Sequence, residues 1–468
     1  MSLWSVFMST LGAEDHSFAM TSLKLENFRG FESLTVEFSR GLNLIVATNG
    51  GGKSALLNAI SISLSDFVCE LGGQREAMSI EKSDVRLKKN PNGAMVAMTP
   101  TSLEARAILF GKAGIWQSSK KNLASKTSHN KSNFVKEECK TILNHIKNYA
   151  NKKVENSPVL PLIAFYGTGR LWAERRKTNK KAEKAKNLSE QLGAYADCLT
   201  PSSNYRQFEI WFEVVSSQAI SDSISEKNNA YQARDLISAV RNAVNEVLRP
   251  TGWTNISWNF TDGCVVAEHP EQGDLSVQLL SDGIQNLIAL VADLAHRAAR
   301  LNPHFGADAA IKTPGIVLID EVDMHLHPSW QQLVVEQLQK TFPLVQFILT
   351  THSHLVAATV PQKSILILSE NSTVLSPDLQ TEGCDSEFVL SQIFSVNSSP
   401  PVHIARLIEK YENQIQSKCE NECIYRELLE HFGEEHHVIL HLKSLIRIRN
   451  MKIQRESNIN GSQNEKNR

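Results

Sequence analysis

Residues 42–60 constrain the fold more than any other stretch of the chain. An apolar run, Leu42-Asn43-Leu44-Ile45-Val46, leads into Ala47-Thr48-Asn49-Gly50-Gly51-Gly52-Lys53-Ser54, and a helical pattern, Ala55-Leu56-Leu57-Asn58-Ala59-Ile60, follows. Strand, glycine loop, Lys-Ser and helix in that order is the context a phosphate-binding loop requires. Glycines let the backbone curl until successive N–H groups face one anion, and the helix adds the positive end of its dipole. Asn49, Gly50, Gly51 and Gly52 are therefore expected to line the phosphates of a nucleotide. Lys53 is expected to reach the β- and γ-phosphates, and Ser54 to place its hydroxyl on Mg²⁺. Ala47 stands where the pattern usually has its first glycine, a mild change at a position that mainly sets the turn.

A second element supplies the matching acid chemistry. Gly315-Ile316-Val317-Leu318-Ile319-Asp320-Glu321 is an apolar run ending in two carboxylates. A buried parallel strand delivers its last residues to the carboxyl edge of the sheet, where ligands bind. There Asp320 can hold Mg²⁺, and Glu321, one residue on, can polarise an attacking water. The strand Val345–Leu349 ends in Thr350-Thr351-His352-Ser353, which puts His352 within reach of a γ-phosphate. An apolar run ending in Asp-Glu is weak evidence by itself; its pairing with the glycine loop makes it specific.

Length allows two or three structural units at about 150 residues each. The net charge of −1 excludes any argument from global charge to nucleic acid or membrane. Seven scattered cysteines fit a reducing, cytoplasmic setting better than a disulfide framework. No stretch is long and apolar enough to span a membrane, and residues 1–19 lack the pattern of a signal peptide. The expected organisation is an extension over 1–19, a first lobe over 20–170 with an exposed insertion near 119–153, and a helical insertion or short arm over 171–250. A second lobe follows over 251–365, then a mainly helical region over 366–468 with a disordered tail beyond about Arg449. The Lys-rich runs at 119–153 and 170–186 are either solvated surface or contacts to a phosphate backbone.

Ahead of a long amphipathic helix stands Leu280-Ser281-Asp282-Gly283-Ile284-Gln285, which resembles the signature motif of ATP-binding-cassette ATPases. Glycine loop, signature, Asp320-Glu321 and His352 make four motifs in the family's order, over about residues 20 to 365. The resemblance implies an α/β fold, a P-loop NTPase of ATP-binding-cassette type with a mixed sheet flanked by helices. It also implies that Ser281, Asp282 and Gly283 of one subunit cap the ATP held by another. The opening Leu25-Glu26-Asn27-Phe28-Arg29-Gly30-Phe31 is similar to the start of RecF-like and chromosome-maintenance ATPases, which implies that Arg29 approaches the phosphates.

Three further stretches narrow the resemblance: Ala164 to Arg170, Glu321 to Pro328 with its Asp323-Met324-His325-Leu326-His327, and Ser386 to Phe394. Together they resemble the ATPases of Septu-type antiphage systems, including forms found with retrons. That implies an HNH-type nuclease partner, sometimes a reverse transcriptase with its RNA–DNA product, and a regulatory role for ATP. The alternatives are a RecF-like repair ATPase, disfavoured by too few heptads for a long coiled coil, and a nuclease-fused ATPase, disfavoured by the absence of a paired-acid strand end after residue 365. A transporter cassette lacks support in the opening strand and in the signature.

Overall fold

The computed structural model describes residues 18–47, 50–72, 76–130, 132–154, 156–169, 191–201, 205–224, 230–369, 373–394, 403–417 and 421–466. It divides into two compact units, Met1–Phe394 and Ser395–Arg468.

The strands of the first unit are β1 (Ala19–Phe28), β2 (Phe31–Glu37), β3 (Leu42–Val46), β4 (Leu87–Lys89), β5 (Met95–Ala97), β6 (Thr101–Leu109), β7 (Lys112–Lys120), β8 (Ser128–Asn130), β9 (Leu162–Tyr166), β10 (Thr254–Asn259), β11 (Cys264–His269), β12 (Gly273–Ser276), β13 (Gly315–Ile319), β14 (Val345–Thr350), β15 (Ile365–Leu368) and β16 (Val374–Leu375). Its longer helices are α1 (Lys53–Glu70), α2 (Asn133–Ala150), α3 (Tyr205–Ile224), α4 (Ala230–Leu248), α5 (Asp282–Leu301) and α6 (Val334–Thr341). The second unit holds α7 (His403–Ser417), α8 (Glu422–Phe432) and α9 (His437–Lys466).

The central sheet has the order β16-β15-β3-β14-β13-β9. β15, β3, β14, β13 and β9 run parallel, and only the edge strand β16 is antiparallel. Every residue of β3, β9, β13 and β14 is buried. That is why these segments read as unbroken apolar runs: a parallel strand covered on both faces has no solvent side. A second sheet, β2-β1-β6-β7-β8, is antiparallel and alternates buried with exposed residues, as a sheet with one wet face must.

Helix α1 lies between the two sheets and is buried almost all round, including Ser61, Ser63 and Ser65. A helix with no wet face must satisfy its hydroxyls internally. Each serine donates to the helix backbone, to Asn58 O at 2.8 Å, Ala59 O at 2.9 Å and Ile62 O at 2.6 Å. Trp116 Nε1 of β7 donates to Ser63 O at 2.8 Å and pins the second sheet to the helix. Gln346 of β14, fully buried, ties the two sheets through both backbone groups of Met20: Met20 N donates to its Oε1 and its Nε2 donates to Met20 O, each at 2.8 Å.

Two segments differ from the sequence expectation. Much of the polar stretch 119–153 is folded: β8 pairs with β7, and α2 buries Val135 and Cys139 while Lys112 holds Glu138 at 2.8 Å. Val135, Cys139, Ile142 and Ile146 recur at helical spacing and pack on the core, while lysines, asparagines and glutamates interrupt the pattern along the sequence. The last unit begins at Ser395, not 366, because β15 pairs with β3 inside the central sheet. There α7, α8 and α9 enclose their own core of Tyr411, Ile415, Ile424, Leu428, Ile439 and Leu442, and α9 extends helical structure to Lys466, past Arg449. The basic run 171–190 lies outside the described residues.

Gly315 opens β13 where it runs between β9 and β14; a Cβ there would stand 2.0 Å from Leu162 O. Gly315→Ala is expected to cost roughly 3 kcal/mol through forced separation of these strands. The urea midpoint measures it, and an unchanged midpoint would show that the β9–β13 approach is not tight.

Candidate nucleotide-binding active site

The parallel register of β3, β14 and β13 brings three strand ends to one edge of the central sheet. From β3 the chain passes through Ala47 and the glycine loop into α1; Thr48 and Asn49 lie outside the described residues. Gly50 and Gly52 adopt left-handed backbone, φ 77° and 89°. At Gly52 a Cβ would also stand 2.3 Å from Phe31 Cζ, so the loop is seated on the aromatic ring that opens β2. Leu56 N donates to Gly52 O at 2.9 Å and starts the helix.

Lys53, in the first turn, is 6% exposed, and its Nζ donates to Ala47 O at 3.2 Å. Burial pushes its pKa down, while the charges of Asp320, Glu321 and Asp323 pull it back up. One buried ammonium thus sits in the field of three carboxylates from the end of β13. Ser54, next in the chain, is exposed at the start of α1.

Asp320 is 5% exposed, and its N–H donates to Tyr166 O of β9 at 2.8 Å. Thr350, at the end of β14, serves both acids: its hydroxyl donates to Asp320 Oδ1 at 2.5 Å and accepts from Glu321 N at 2.8 Å. Glu321 has φ 49°, a left-handed conformation sparsely populated by residues other than glycine, and Val322 N donates to Thr350 O at 3.0 Å. Backbone and threonine together hold the turn that redirects the chain at Glu321. One residue on, Thr351 Oγ1 donates to Asp323 Oδ1, and Ser353 Oγ donates to Gln331 Oε1 at 2.6 Å. His352 stands exposed between these two anchors.

Ser281 is the N-cap residue of α5, with Asp282 and Gly283 in its first turn. A Cβ at Gly283 would stand 2.6 Å from His325 O, so glycine there lets the signature helix start directly on the turn that follows β13. Arg29, expected near the phosphates, is engaged by Asp84: its Nε and Nη2 each stand 2.8 Å from Asp84 Oδ1. It remains two residues from Phe31, the ring beneath Gly52.

Thr350, Thr351 and Gln331 carry no motif signal of their own, and their contacts with Asp320, Asp323 and Ser353 emerge only from the register of β13 against β14. A further group is wholly buried. Tyr166 OH donates to Asp293 Oδ2 of α5 at 2.6 Å, and Arg297 Nε donates to the same oxygen at 2.9 Å. Arg297 Nη1 also donates to Ala194 O at 2.6 Å and Ala196 O at 3.1 Å. Pairing with Arg297 outweighs burial and holds the Asp293 carboxyl well below its usual range. His296 packs on Trp211 at 4.4 Å between ring centroids, and both of its ring nitrogens are buried without a hydrogen-bond partner. Its Nδ1 is 3.8 Å from Asp293 Oδ1, too far for a hydrogen bond, and burial pushes its pKa down to about 4. The sequence signal was available: Asp293 and Arg297 are charges four apart inside an otherwise apolar helical stripe.

A family model described as "AAA domain" matches residues 22–248, and a second AAA-domain model, whose description names the AbiEii toxin and a Type IV TA system, matches residues 179–358. The chain is similar to the protein named Retron Ec83 probable ATPase of Escherichia coli, 27% identical over 93% of this chain and 88% of that one. It is 26% identical to Retron Vc95 probable ATPase of Vibrio cholerae, over 85% of this chain and 83% of that protein. It is 23% identical to Septu protein PtuA of Bacillus thuringiensis, over 85% and 89% of the two chains. Among solved structures, an Smc head bound to the C-winged helix domain of ScpA has TM-score 0.47 and 16% identity, covering 78% of this chain and 98% of that one. No helix among the described residues is long and apolar enough to cross a membrane.

The buried His296 makes stability pH-dependent. Its folded pKa of about 4 lies below the unfolded value near 6.5, so the unfolded chain binds more protons between the two. Stability from this group is complete above about pH 6.5 and is lost as pH falls towards 4. Melting temperature followed from pH 7.5 to 5 is expected to drop less steeply in His296→Phe than in wild type; parallel profiles would show that His296 is not buried neutral.

Proposed function

We propose that this chain, an ATPase similar to the retron and Septu ATPases, is the ATP-binding and hydrolysing regulatory subunit of a cytoplasmic antiphage defence complex. The observation that carries the reading is the convergence of Lys53 with Asp320, Glu321 and Asp323 at one edge of the central sheet. A buried ammonium is costly as a structural device, because desolvation opposes its charge. The convergence is suited to a ligand that brings its own opposite charges, a polyphosphate to the lysine and a divalent cation to the acids.

The residues present fit Mg²⁺–ATP. Gly50 and Gly52 hold the left-handed backbone of an anion cradle, and the start of α1 supplies free amide groups. Ser54 and Asp320 are the residues that would hold the metal, which when bound neutralises phosphate charge. Lys53 binds and orients the outer phosphates. Glu321 is the general base that takes a proton from the attacking water, and the Thr350 hydroxyl holds its backbone in position. Thr351 and Ser353, fastened to Asp323 and Gln331, hold the segment from which His352 contacts the γ-phosphate.

Ser281, Asp282 and Gly283 start a helix on the surface of the same head. In this reading they cap ATP bound to a second copy, so that ATP joins two heads and hydrolysis releases them. An HNH-type nuclease subunit is the partner restrained or released by that cycle, with a reverse transcriptase and its RNA–DNA product in retron forms.

At a nucleotide concentration a hundredfold above its dissociation constant, ATP is expected to stabilise the wild type by about 2.7 kcal/mol and Lys53→Ala by none. Equal protection of both in a thermal-shift assay would remove the glycine loop from nucleotide binding. Glu321→Gln is expected to bind ATP normally, accumulate an ATP-dependent dimer in size-exclusion chromatography with light scattering, and turn over about 100-fold more slowly. Turnover at the wild-type rate would take the base role away from Glu321.

A further inference from the structure

We propose that Tyr166 is a positioning residue that locks the signature helix α5 to the strand edge carrying Asp320, so that each head's own nucleotide site sets the posture of the signature it offers to a second copy. The proposal rests on the ATP-joined dimer described above and adds the element that couples its two kinds of site.

Tyr166 is the last residue of β9 and holds two things at once. Its carbonyl accepts from Asp320 N at 2.8 Å, fixing the backbone of the metal-binding carboxylate. Its phenol donates to Asp293 Oδ2 at 2.6 Å, fixing α5 one face away. Asp293 lies eleven residues along the helix whose first turn carries Asp282 and Gly283. A helix moves as a rod over that length, so a grip at Asp293 sets the orientation of the first turn.

The grip is charged and wholly buried. Arg297 holds Asp293 from the next helical turn and donates to the carbonyls of Ala194 and Ala196. Phe208 and Trp211 of α3 close it off around His296. An apolar contact would hold α5 to β9 at lower desolvation cost, but it would be indifferent to small rotations. A phenol–carboxylate–guanidinium chain is directional, and breaks or holds as a unit. The same strand end also leads directly into Gly167, whose N–H donates to Pro201 O at 2.7 Å, so the segments on both sides of residues 170–190 are rooted on this network.

Tyr166→Phe tests the idea with little threat to folding, because Asp293 keeps Arg297 as partner and the ring remains. The expected result is unchanged nucleotide affinity, measured with a fluorescent ATP analogue, together with a fall in kcat of about tenfold. Asp293→Asn, in which Arg297 still holds two backbone carbonyls, is expected to lower kcat in the same way and carries the test if the first variant is insoluble. The double variant is expected to lose no more than the worse single one, as for two members of one link. Wild-type kcat in Tyr166→Phe, whatever its melting temperature, overturns the proposal and leaves a purely structural tie. Absence of ATP-dependent turnover or dimerisation in the wild type itself would overturn the dimer reading first, and the proposal with it.

Discussion

The buried ammonium of Lys53 is the charge around which the head is arranged. Burial lowers its pKa, and the three carboxylates at the end of β13 oppose that shift in part. Each acid must then be held at a distance where it supports the lysine without collapsing onto it. The Thr350 hydroxyl and the Tyr166 carbonyl hold Asp320, and the Thr351 hydroxyl holds Asp323. Because those groups come from β14 and β9, the charge balance depends on parallel strand register. A slip of one residue would turn every one of these groups to the wrong face.

The two-sheet architecture serves that register. α1 begins at the glycine loop and is enclosed between the sheets, with its buried serines bonded to its own backbone. It cannot tilt without breaking the Trp116 bond to Ser63 or the seat of Gly52 on Phe31. Gln346 then fastens the opening strand to the central sheet. Gly52 of the glycine loop is seated on the Phe31 ring and leads directly into α1.

The motifs were legible in the sequence because each is local. A glycine loop between a strand and a helix, an apolar run ending in Asp-Glu, and a polar cap before a long amphipathic helix need only neighbours within a few residues. The threonines and Gln331 were not legible in the same way, since nothing in Thr350-Thr351 distinguishes a strand end from a site. The folded helix α2 was hidden by composition: its lysines, asparagines and glutamates are interleaved with the apolar residues that seat it. Asp84, the partner of Arg29, was not legible either, since it comes from fifty-five residues away.

Sequence alone determined the groups available to this protein: a glycine loop, a lysine, paired acids, a capped helix and a similarity to ATPases that spans most of the chain. Tertiary structure decided how those parts are held. Strand order put β14 between β3 and β13, which made Thr350 the common support of both acids. The packing of α5 against β9 turned three ordinary residues, Tyr166, Asp293 and Arg297, into one buried link. Local patterns encode which groups exist, because propensity and spacing act over a few residues. Which groups meet is set by non-local register and burial, where only the folded chain brings distant partners within hydrogen-bond range.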